Sequence, residues 1–510
     1  MAAVVNSRTA SPSFARTGGE LDFDSASESE IEIPSHDAIY TPQQEKQVLD
    51  LLDRKLVLFI GLLYMLSFLD RSNIGNARIA GMEADLQTSP PLSTWYDWCL
   101  TSFYATYMAS AWLALIWRLV PAHVLVTVVV LAWGVAASVQ AVVPSYPYLV
   151  ALRALLAVGE AGFTGVPLYL SWFYKREELA LRTGYFISAA PLASSFASAL
   201  AWLILRFASL SPIAPWRLLF LAEGIPSVLA SVSAWTRIPD SARKAPFLTA
   251  RQRRIAHLRL PPDTPPPTRQ TNVLVDPIAW TAATMLLLAN MAYASLPVFL
   301  PLLVEDMGHG PVAAQALSAP PFLVSFIAVL VTARFSDRIR DRTAPLVAHA
   351  VASAGGYALL AAAPLIHLPP LLRYLALFPA AAGFFCVVTL IITWNINNQP
   401  GRHRQGLAFA LMQFVGQCGP LIGTRLYPAR HAPFYTPGML VCACAMGVVA
   451  VLGLVLRRLL RSHNRNMDRA DDEKLTEERE RLVGEGETMA STASKSGSTT
   501  DTTARFRYML

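Results

Sequence analysis

Long apolar runs alternate with short polar stretches along most of the chain. Twelve of these runs are long enough for a helix to cross the hydrocarbon core of a bilayer, which takes roughly 20 apolar residues. They occupy residues 55–77, 98–117, 122–143, 148–172, 184–206 and 218–236, and then 277–300, 315–334, 345–366, 370–392, 407–425 and 438–460. The pattern predicts an all-α polytopic membrane protein with twelve transmembrane helices in two pseudo-symmetric halves of six.

The charged residues are concentrated outside these runs. Residues 1–54, 237–275 and 457–510 hold 45 of the chain's 77 charged residues, so that the other 363 residues share only 32. Tails with so few large apolar residues cannot build a core. We therefore predict disordered cytoplasmic tails at 1–54 and 461–510, six-helix bundles at 55–236 and 276–460, and a cytoplasmic linker at 237–275.

Lys and Arg are distributed unequally between alternate loops. The loops after even-numbered runs, together with the two tails, carry most of them, whereas the loops after odd-numbered runs carry Arg78, Arg206, Arg217 and Arg430. Because positive residues stay on the cytoplasmic side, both termini are predicted to be cytoplasmic. We expect a multi-pass protein of the plasma membrane in preference to the vacuolar membrane.

Several other classes of protein do not fit. The net charge of +7 is spread over loops without a basic face or a nucleic-acid-reading module. The five cysteines lie in or beside apolar runs without metal-ligand spacing, so we expect neither a disulfide framework nor a metal site or cofactor. Because the sequence shows no nucleophile, metal or phosphate-loop constellation, an enzyme is not expected. The predicted partners are the lipid bilayer, a small-molecule anion and protons, and the chain is expected to be monomeric.

Two predicted helices carry ionisable residues where they are costly and usually functional. The first runs through apolar residues to Leu69 and then meets Asp70, Arg71 and Asn73. The fourth carries Arg153 and Glu160, which lie almost two turns apart on one face, roughly 10 Å from each other.

This arrangement suits proton-coupled uptake of an anion. A carboxylate in a low-dielectric cavity changes its protonation when a nearby charge arrives or leaves, and an arginine can hold a substrate carboxylate with two hydrogen bonds. Asp70 and Glu160 are thus candidate proton carriers, and Arg71 and Arg153 are candidate anion anchors. The same spacing also fits internally compensated structural ion pairs.

Uncharged polar residues add further candidates. Asn73 in the first helix and the pair Gln413 and Gln417, which share a face of the eleventh, could bind a polar substrate through their amides. Arg217 and Glu223, near the sixth helix, are better explained by interface packing and gating.

The run Tyr64 to Ala77 resembles the first-helix signature of the anion:cation symporter family in the major facilitator superfamily, in the branch of fungal allantoate and nicotinate permeases. The similarity continues in family order to about residue 460. The blocks that carry it are Arg153, Glu160–Phe163, Tyr169–Trp172, Trp216–Arg217, Glu223–Pro226, Pro239–Ser241, Phe247–Thr249, Ala319–Pro321, Ser336–Arg338, Trp394 with Asn397–Asn398, Ala432–Tyr435 and Pro437–Gly438.

The resemblance implies a function and roles for several residues. Similar family members take up organic anions or small vitamins with protons, by rocking two halves around a midplane site. The carboxylates that match Asp70 and Glu160 are associated with proton coupling in the family, and the arginines that match Arg71 and Arg153 with substrate binding or charge compensation. Asp337, Arg338 and Arg342 match part of the superfamily's loop signature and are expected to act in gating.

One departure from the family leaves an alternative function open. Relatives usually carry a Glu-x-Pro-Ser-Asn element late in the second helix, whereas this chain reads Ala109 to Leu113 without the charge or the proline kink. Loss of polarity there would suit an exporter of a secondary metabolite or drug. A nutrient sensor that signals through its tails is a further alternative.

Overall fold

The computed structural model describes residues 40–86, 94–175, 177–207, 211–260, 272–399, 402–488 and 508–509. These residues are helical or irregular and contain no β-strand. Residues from Gln43 onward form one compact unit, and of residues 1–42 the structure describes only Tyr40 to Pro42. The boundaries that we predicted between two bundles and a linker stay predictions.

The twelve predicted runs correspond to twelve helical elements, labelled α1 to α12 in chain order. Those of the first half are α1 (Leu58–Ala77), α2 (Trp95–Ala109), α3 (Ala122–Val139), α4 (Tyr146–Phe163), α5 (Leu179–Arg206) and α6 (Pro215–Arg237). Those of the second half are α7 (Pro277–Glu305), α8 (Pro311–Ile339), α9 (Thr343–Ala362), α10 (Pro370–Asn397), α11 (Arg402–Gly416, extended by Cys418–Gly423) and α12 (Thr436–Thr488).

Length and composition alone qualify ten helices of the described residues as membrane spans, or eleven if the bent second span is counted. Helix α1 is not among these. Its last two turns contain Asp70, Arg71, Asn73 and Asn76, which lower its mean hydropathy. The helix that looks least like a membrane span is therefore the one with the most candidate chemistry.

The second span is bent although it lacks a proline. Helix α2 ends at Ala109, and a 3₁₀ helix follows at Ala111–Arg118. The two segments meet at an angle of 43°. The sequence suggested that the kink of related proteins is missing here, but the bend is present, at Ser110.

Parts of the two predicted tails are helical, and the disorder of the tails stays a prediction. Helix α12 continues past residue 461 to Thr488, since residues 461–483 contain neither proline nor glycine to interrupt it.

A short helix, Pro42–Leu52, precedes α1. Its Glu45 forms ion pairs with Lys175, at 2.7 Å, and Arg259, at 3.2 Å. Burial raises the pKa of Glu45, but the bonds from these two cations outweigh it, so the pKa is lowered.

The two halves meet through corresponding helices. Helix α5 packs along α8, and the end of α2 packs against α11. Because the second helix of one half corresponds to the eighth of the chain and the fifth to the eleventh, these two contacts exchange under a pseudo-two-fold axis, as expected for repeated halves. Helices α1 and α7 pack together between them.

Gly75 permits the close approach of α1 to α7. A Cβ on Gly75 would lie 2.6 Å from the carbonyl oxygen of Val298, a distance that forces the two helices apart. Small residues serve this purpose in membrane helices because they let backbones approach. The contact lies at the boundary between the two halves, so it forms only when the halves are packed as they are in this structure.

We expect Gly75→Ala to destabilise this arrangement, because overpacking costs about 1–3 kcal/mol. The melting temperature of the purified protein should fall by about 2 °C or more. Gly447→Ala on α12 is the matched control, since a Cβ there would meet nothing within 4 Å. An equal effect of both substitutions would contradict the close α1–α7 contact.

Candidate functional site

A cavity lies between the two halves. Helices α1, α2, α4 and α5 line it from the first half, and α7, α10 and α11 line it from the second. Its walls carry seven aromatic residues: Tyr64, Phe68, Tyr104, Tyr107, Phe163, Phe186 and Tyr293. The cavity thus combines largely apolar walls, with these rings among them, and a set of polar side chains, as small-molecule sites do.

The cavity wall carries one ion pair. The guanidinium of Arg71 binds Glu160 through Nε at 2.9 Å and Nη2 at 2.5 Å. Both bonds go to the same carboxylate oxygen, Oε2, and Oε1 has no hydrogen-bond partner among the described residues. Glu160 is 1% exposed, so its charge depends on Arg71 for compensation.

Aromatic side chains hold the guanidinium in place. Its carbon lies 4.8 Å from the ring centre of Tyr107 and 5.4 Å from that of Phe103. The Tyr107 hydroxyl also accepts a bond from Nη2, at 3.3 Å. Cation–π contacts of this kind stabilise a desolvated cation without neutralising it, so Arg71 can bind one carboxylate in place of another.

A second buried cluster lies behind α1, away from the cavity. Ser227 on α6 donates to the Asp70 carboxylate at 2.9 Å, and Glu223 lies one turn earlier on the same face of α6. Both oxygens of Glu223 lack a partner in the part of the chain that is described. None of these three residues lines the cavity.

Arg153 binds the backbone of α1. Its Nη1 donates to the carbonyl oxygens of Asp70 at 3.1 Å and Arg71 at 3.3 Å. Its Nε and Nη2 have no partner among the described residues. Of the two candidate anion anchors, the structure therefore places Arg71 at the cavity with Glu160 and Arg153 outside it. Arg153 lies almost two turns from Glu160 along α4, where its guanidinium meets the backbone of α1.

The opposite wall supplies amides. Gln413 and Gln417 line the cavity from α11, as does Asn290 from α7. The Asn290 amide donates to the Gly416 carbonyl at 3.1 Å, which fixes its direction. Asn73 lies elsewhere: it is fully buried, it does not line the cavity, and its amide atoms have no partner in the described ranges.

The loop motif after α8 contacts the first half. Asp337 accepts a bond of 2.7 Å from the backbone N–H of Leu181 on α5 and one of 2.6 Å from Arg342. The Arg342 side chain is fully buried. Burial lowers its pKa, and Asp337 opposes that shift.

Arg338 is exposed and joins no hydrogen bond or ion pair that the structure describes. Its neighbour Arg340, in contrast, pairs with Glu177 across the same boundary, at 2.9 Å.

The two gating candidates near α6 stay inside the first half. Arg217 donates to the Ala141 carbonyl at 2.8 Å and thereby connects the start of α6 to the segment after α3. Glu223 belongs to the cluster behind α1. Neither contributes to the contacts between the halves that are described above.

Sequence reasoning missed the aromatic part of the site. The hydroxyls of Tyr64 and Tyr293 form a hydrogen bond of 2.8 Å across the boundary between the two halves. Tyr64 precedes Arg71 by seven residues, which is nearly two turns and places both on one face. That spacing was available in the sequence, but the partner on α7 could be found only from the fold.

Comparison with known proteins identifies the family. The profile of the Major Facilitator Superfamily matches residues 60–424. The chain belongs to the Major Facilitator Superfamily. It is therefore a transporter with the twelve-helix fold and not an enzyme, and it is an integral multi-pass membrane protein, as the apolar runs predicted.

The similar proteins are mostly fungal transporters. The MFS-type transporter efuF of Hormonema carpetanum is 29% identical over 427 residues, which are 82% of this chain and 86% of that protein. The transporter hxnP of Emericella nidulans is 27% identical over 87% of this chain and 92% of its own length. The high-affinity nicotinic acid transporter of Saccharomyces cerevisiae is 26% identical over 80% and 76%.

Solved structures support the fold. The proton:xylose symporter XylE bound to 6-bromo-6-deoxy-D-glucose superposes with a TM-score of 0.63 over 81% of this chain and 95% of that one, at 14% identity. A bacterial homologue of the human lysosomal transporter Spinster, inward-facing and occupied, gives a TM-score of 0.54 at 15% identity, over 79% and 96%.

We expect Asp337→Ala to open the contact between α5 and α8, since it leaves Arg342 buried without its carboxylate, at a cost of about 3–5 kcal/mol. Spin labels at positions 236 and 334, which are exposed on α6 and α8, would report a longer or broader distance distribution. Arg338→Ala is the matched control and should leave the distribution unchanged. A shift with Arg338→Ala but not with Asp337→Ala would refute the gating role of Asp337.

Proposed function

We propose that this transporter is a proton-coupled symporter of a small organic anion. The observation that carries the proposal is the Arg71–Glu160 ion pair on the wall of a cavity between the two halves. It places an anion anchor and a titratable carboxylate within hydrogen-bond distance of each other where a substrate would bind.

The proposed mechanism is an exchange of partners on Arg71. A substrate carboxylate binds the guanidinium with two hydrogen bonds and displaces Glu160. The displaced carboxylate lies in a cavity shielded from water, where an unpaired charge is unfavourable, so it takes up a proton. Oε1 of Glu160, which has no partner among the described residues, is the oxygen open to that proton. Release of the substrate reverses both steps.

The walls suggest the kind of anion. Seven aromatic rings and the amides of Gln413, Gln417 and Asn290 surround the ion pair. Rings of this kind favour a flat apolar body, because stacked and edge-to-face contacts add to burial. A planar aromatic carboxylate fits this description. Nicotinic acid, which the similar yeast protein transports by its name, is an example of that class.

The cluster behind α1 would support this exchange. Arg153 fixes the backbone carbonyls of Asp70 and Arg71 and thereby orients the Arg71 side chain, so we assign it a positioning role. Asp70, bound by Ser227, stays a candidate second proton carrier on the other side of α1. Arg217 and Glu223 would hold the first half together as a body that moves as one.

The orientation follows from charge. The loops on the side of both termini carry most of the Lys and Arg, which favours a cytoplasmic location for that side. The contacts of Asp337 and Arg340 would then form the cytoplasmic gate. We infer residence in the plasma membrane and a monomeric state, the simplest arrangement for an uptake system.

We expect vesicles that contain the protein to accumulate nicotinate, but not the neutral nicotinamide, when an inward proton gradient is imposed. At one proton per anion, a gradient of one pH unit drives about tenfold accumulation. Glu160→Gln should reduce the accumulation ratio to about one while counterflow exchange continues, because Gln cannot carry the proton but leaves the site intact.

Glu305→Gln at the end of α7, outside the cavity, is the control and should behave like the unsubstituted protein. Accumulation by Glu160→Gln that equals the control would remove Glu160 from the mechanism. Efflux from loaded vesicles without uptake of any carboxylate in a panel of aromatic and aliphatic acids would favour the exporter alternative.

A further inference from the structure

The C-terminal end of α10 carries polar residues that the proposed transport mechanism does not use. Trp394, Asn397 and Asn398 end the helix, and their side chains are at most 2% exposed. Asparagines in this position are usually explained by helix capping. Here they face another part of the chain, the residues Tyr508 and Met509.

Asn398 binds both backbone polar groups of Met509. Its amide nitrogen donates to the Met509 carbonyl at 2.9 Å, and its amide oxygen accepts from the Met509 backbone N–H at 2.6 Å. The Trp394 indole donates to the same carbonyl at 2.9 Å. Both backbone groups of Met509 are thereby satisfied by side chains, which matters because buried backbone groups are costly when unpaired.

Asn464 on α12 does the same for the preceding residue. Its amide nitrogen donates to the Tyr508 carbonyl at 3.0 Å, and its amide oxygen accepts from the Tyr508 backbone N–H at 3.0 Å. The Tyr508 ring lies edge-on to His463, 5.7 Å between centres. Two asparagines on different helices thus each bind the backbone N–H and carbonyl of one residue, as an adjacent β-strand would.

We propose that Trp394, Asn398 and Asn464 form a binding site for an extended peptide, and that its occupant is the Tyr508–Met509 segment of the same chain. Recognition is through the peptide backbone, with Asn397 in addition contacting the Met509 sulfur at 3.4 Å. Helices α10 and α12 each pack against α7 and α9, and the segment connects the end of α10 to Asn464 within α12.

The position of the site gives it influence over the cavity. Val388 and Ile392, which line the cavity, lie on α10 within two turns of Trp394. Gln399, directly after the site, binds Arg404, which pairs with Asp276 at the start of α7. The bound segment therefore stabilises the junction from which α7, α10 and α11 begin or end, and its release would loosen that junction.

The test uses the full-length protein with the photo-crosslinking amino acid benzoylphenylalanine in place of Tyr508. Irradiation should give a crosslink to peptides from the end of α10 or from the stretch of α12 around His463 of the same chain. Loss of four hydrogen bonds in the double variant Asn398→Ala/Asn464→Ala should lower the yield about tenfold or more. Asn395→Ala is the matched control, because its amide has no partner among the described residues, and its yield should be unchanged.

Trp394→Phe keeps the ring and removes one bond to Met509, so it should lower the yield by a smaller factor, about two to five. This milder variant retains the test if the double variant does not fold. Irradiation of mixed isotope-labelled and unlabelled chains distinguishes crosslinks within a chain from those between chains. Crosslinks only between chains, or equal yields from all variants, would overturn the proposal.

Discussion

The buried ion pair of Arg71 and Glu160 is the constraint on which the rest of the site depends. Neither side chain can stay charged alone in a cavity with largely apolar walls, since isolated buried ions cost several kcal/mol. Any molecule that takes one partner must therefore compensate the other. An anion that binds Arg71 leaves Glu160 without its cation, and the protonated carboxyl is then the more stable form of Glu160. In the proposed mechanism, coupling of anion to proton then follows from electrostatics, without a signal that travels through the protein.

Helix α1 organises the charges because adjacent residues on it face different partners. Arg71 points toward Glu160 and the cavity, and Asp70 points toward Ser227 on α6. Arg153 joins the two sides through the backbone carbonyls of both residues. A movement of Arg71 would thus be felt, through the backbone of α1, near the carboxylates Asp70 and Glu223. The proposed asparagine site would act on the second half instead, through α10 and its neighbours.

Much of the fold could be predicted from hydrophobic runs, since the bilayer fixes the length and polarity of every span. The ionisable residues of α1 and α4 could be singled out for the same reason. The separation of Arg153 from the cavity could not, because it depends on how α1 is rotated between its neighbours. The bend at Ser110 carries no proline, the aromatic walls come from distant helices, and the helical continuation of α12 is favoured by local propensity that composition alone understates.

Proton uptake on binding tests the central claim most directly. Detergent-solubilised protein in weak buffer near pH 7 would be titrated with a carboxylate that the vesicle assay identifies as a substrate, while a pH indicator follows the protons bound. If the anion displaces Glu160 from Arg71, about one proton should be taken up per anion bound, as a carboxylate that loses its cationic partner in a shielded site becomes protonated. Tight binding without proton uptake would contradict the exchange of partners.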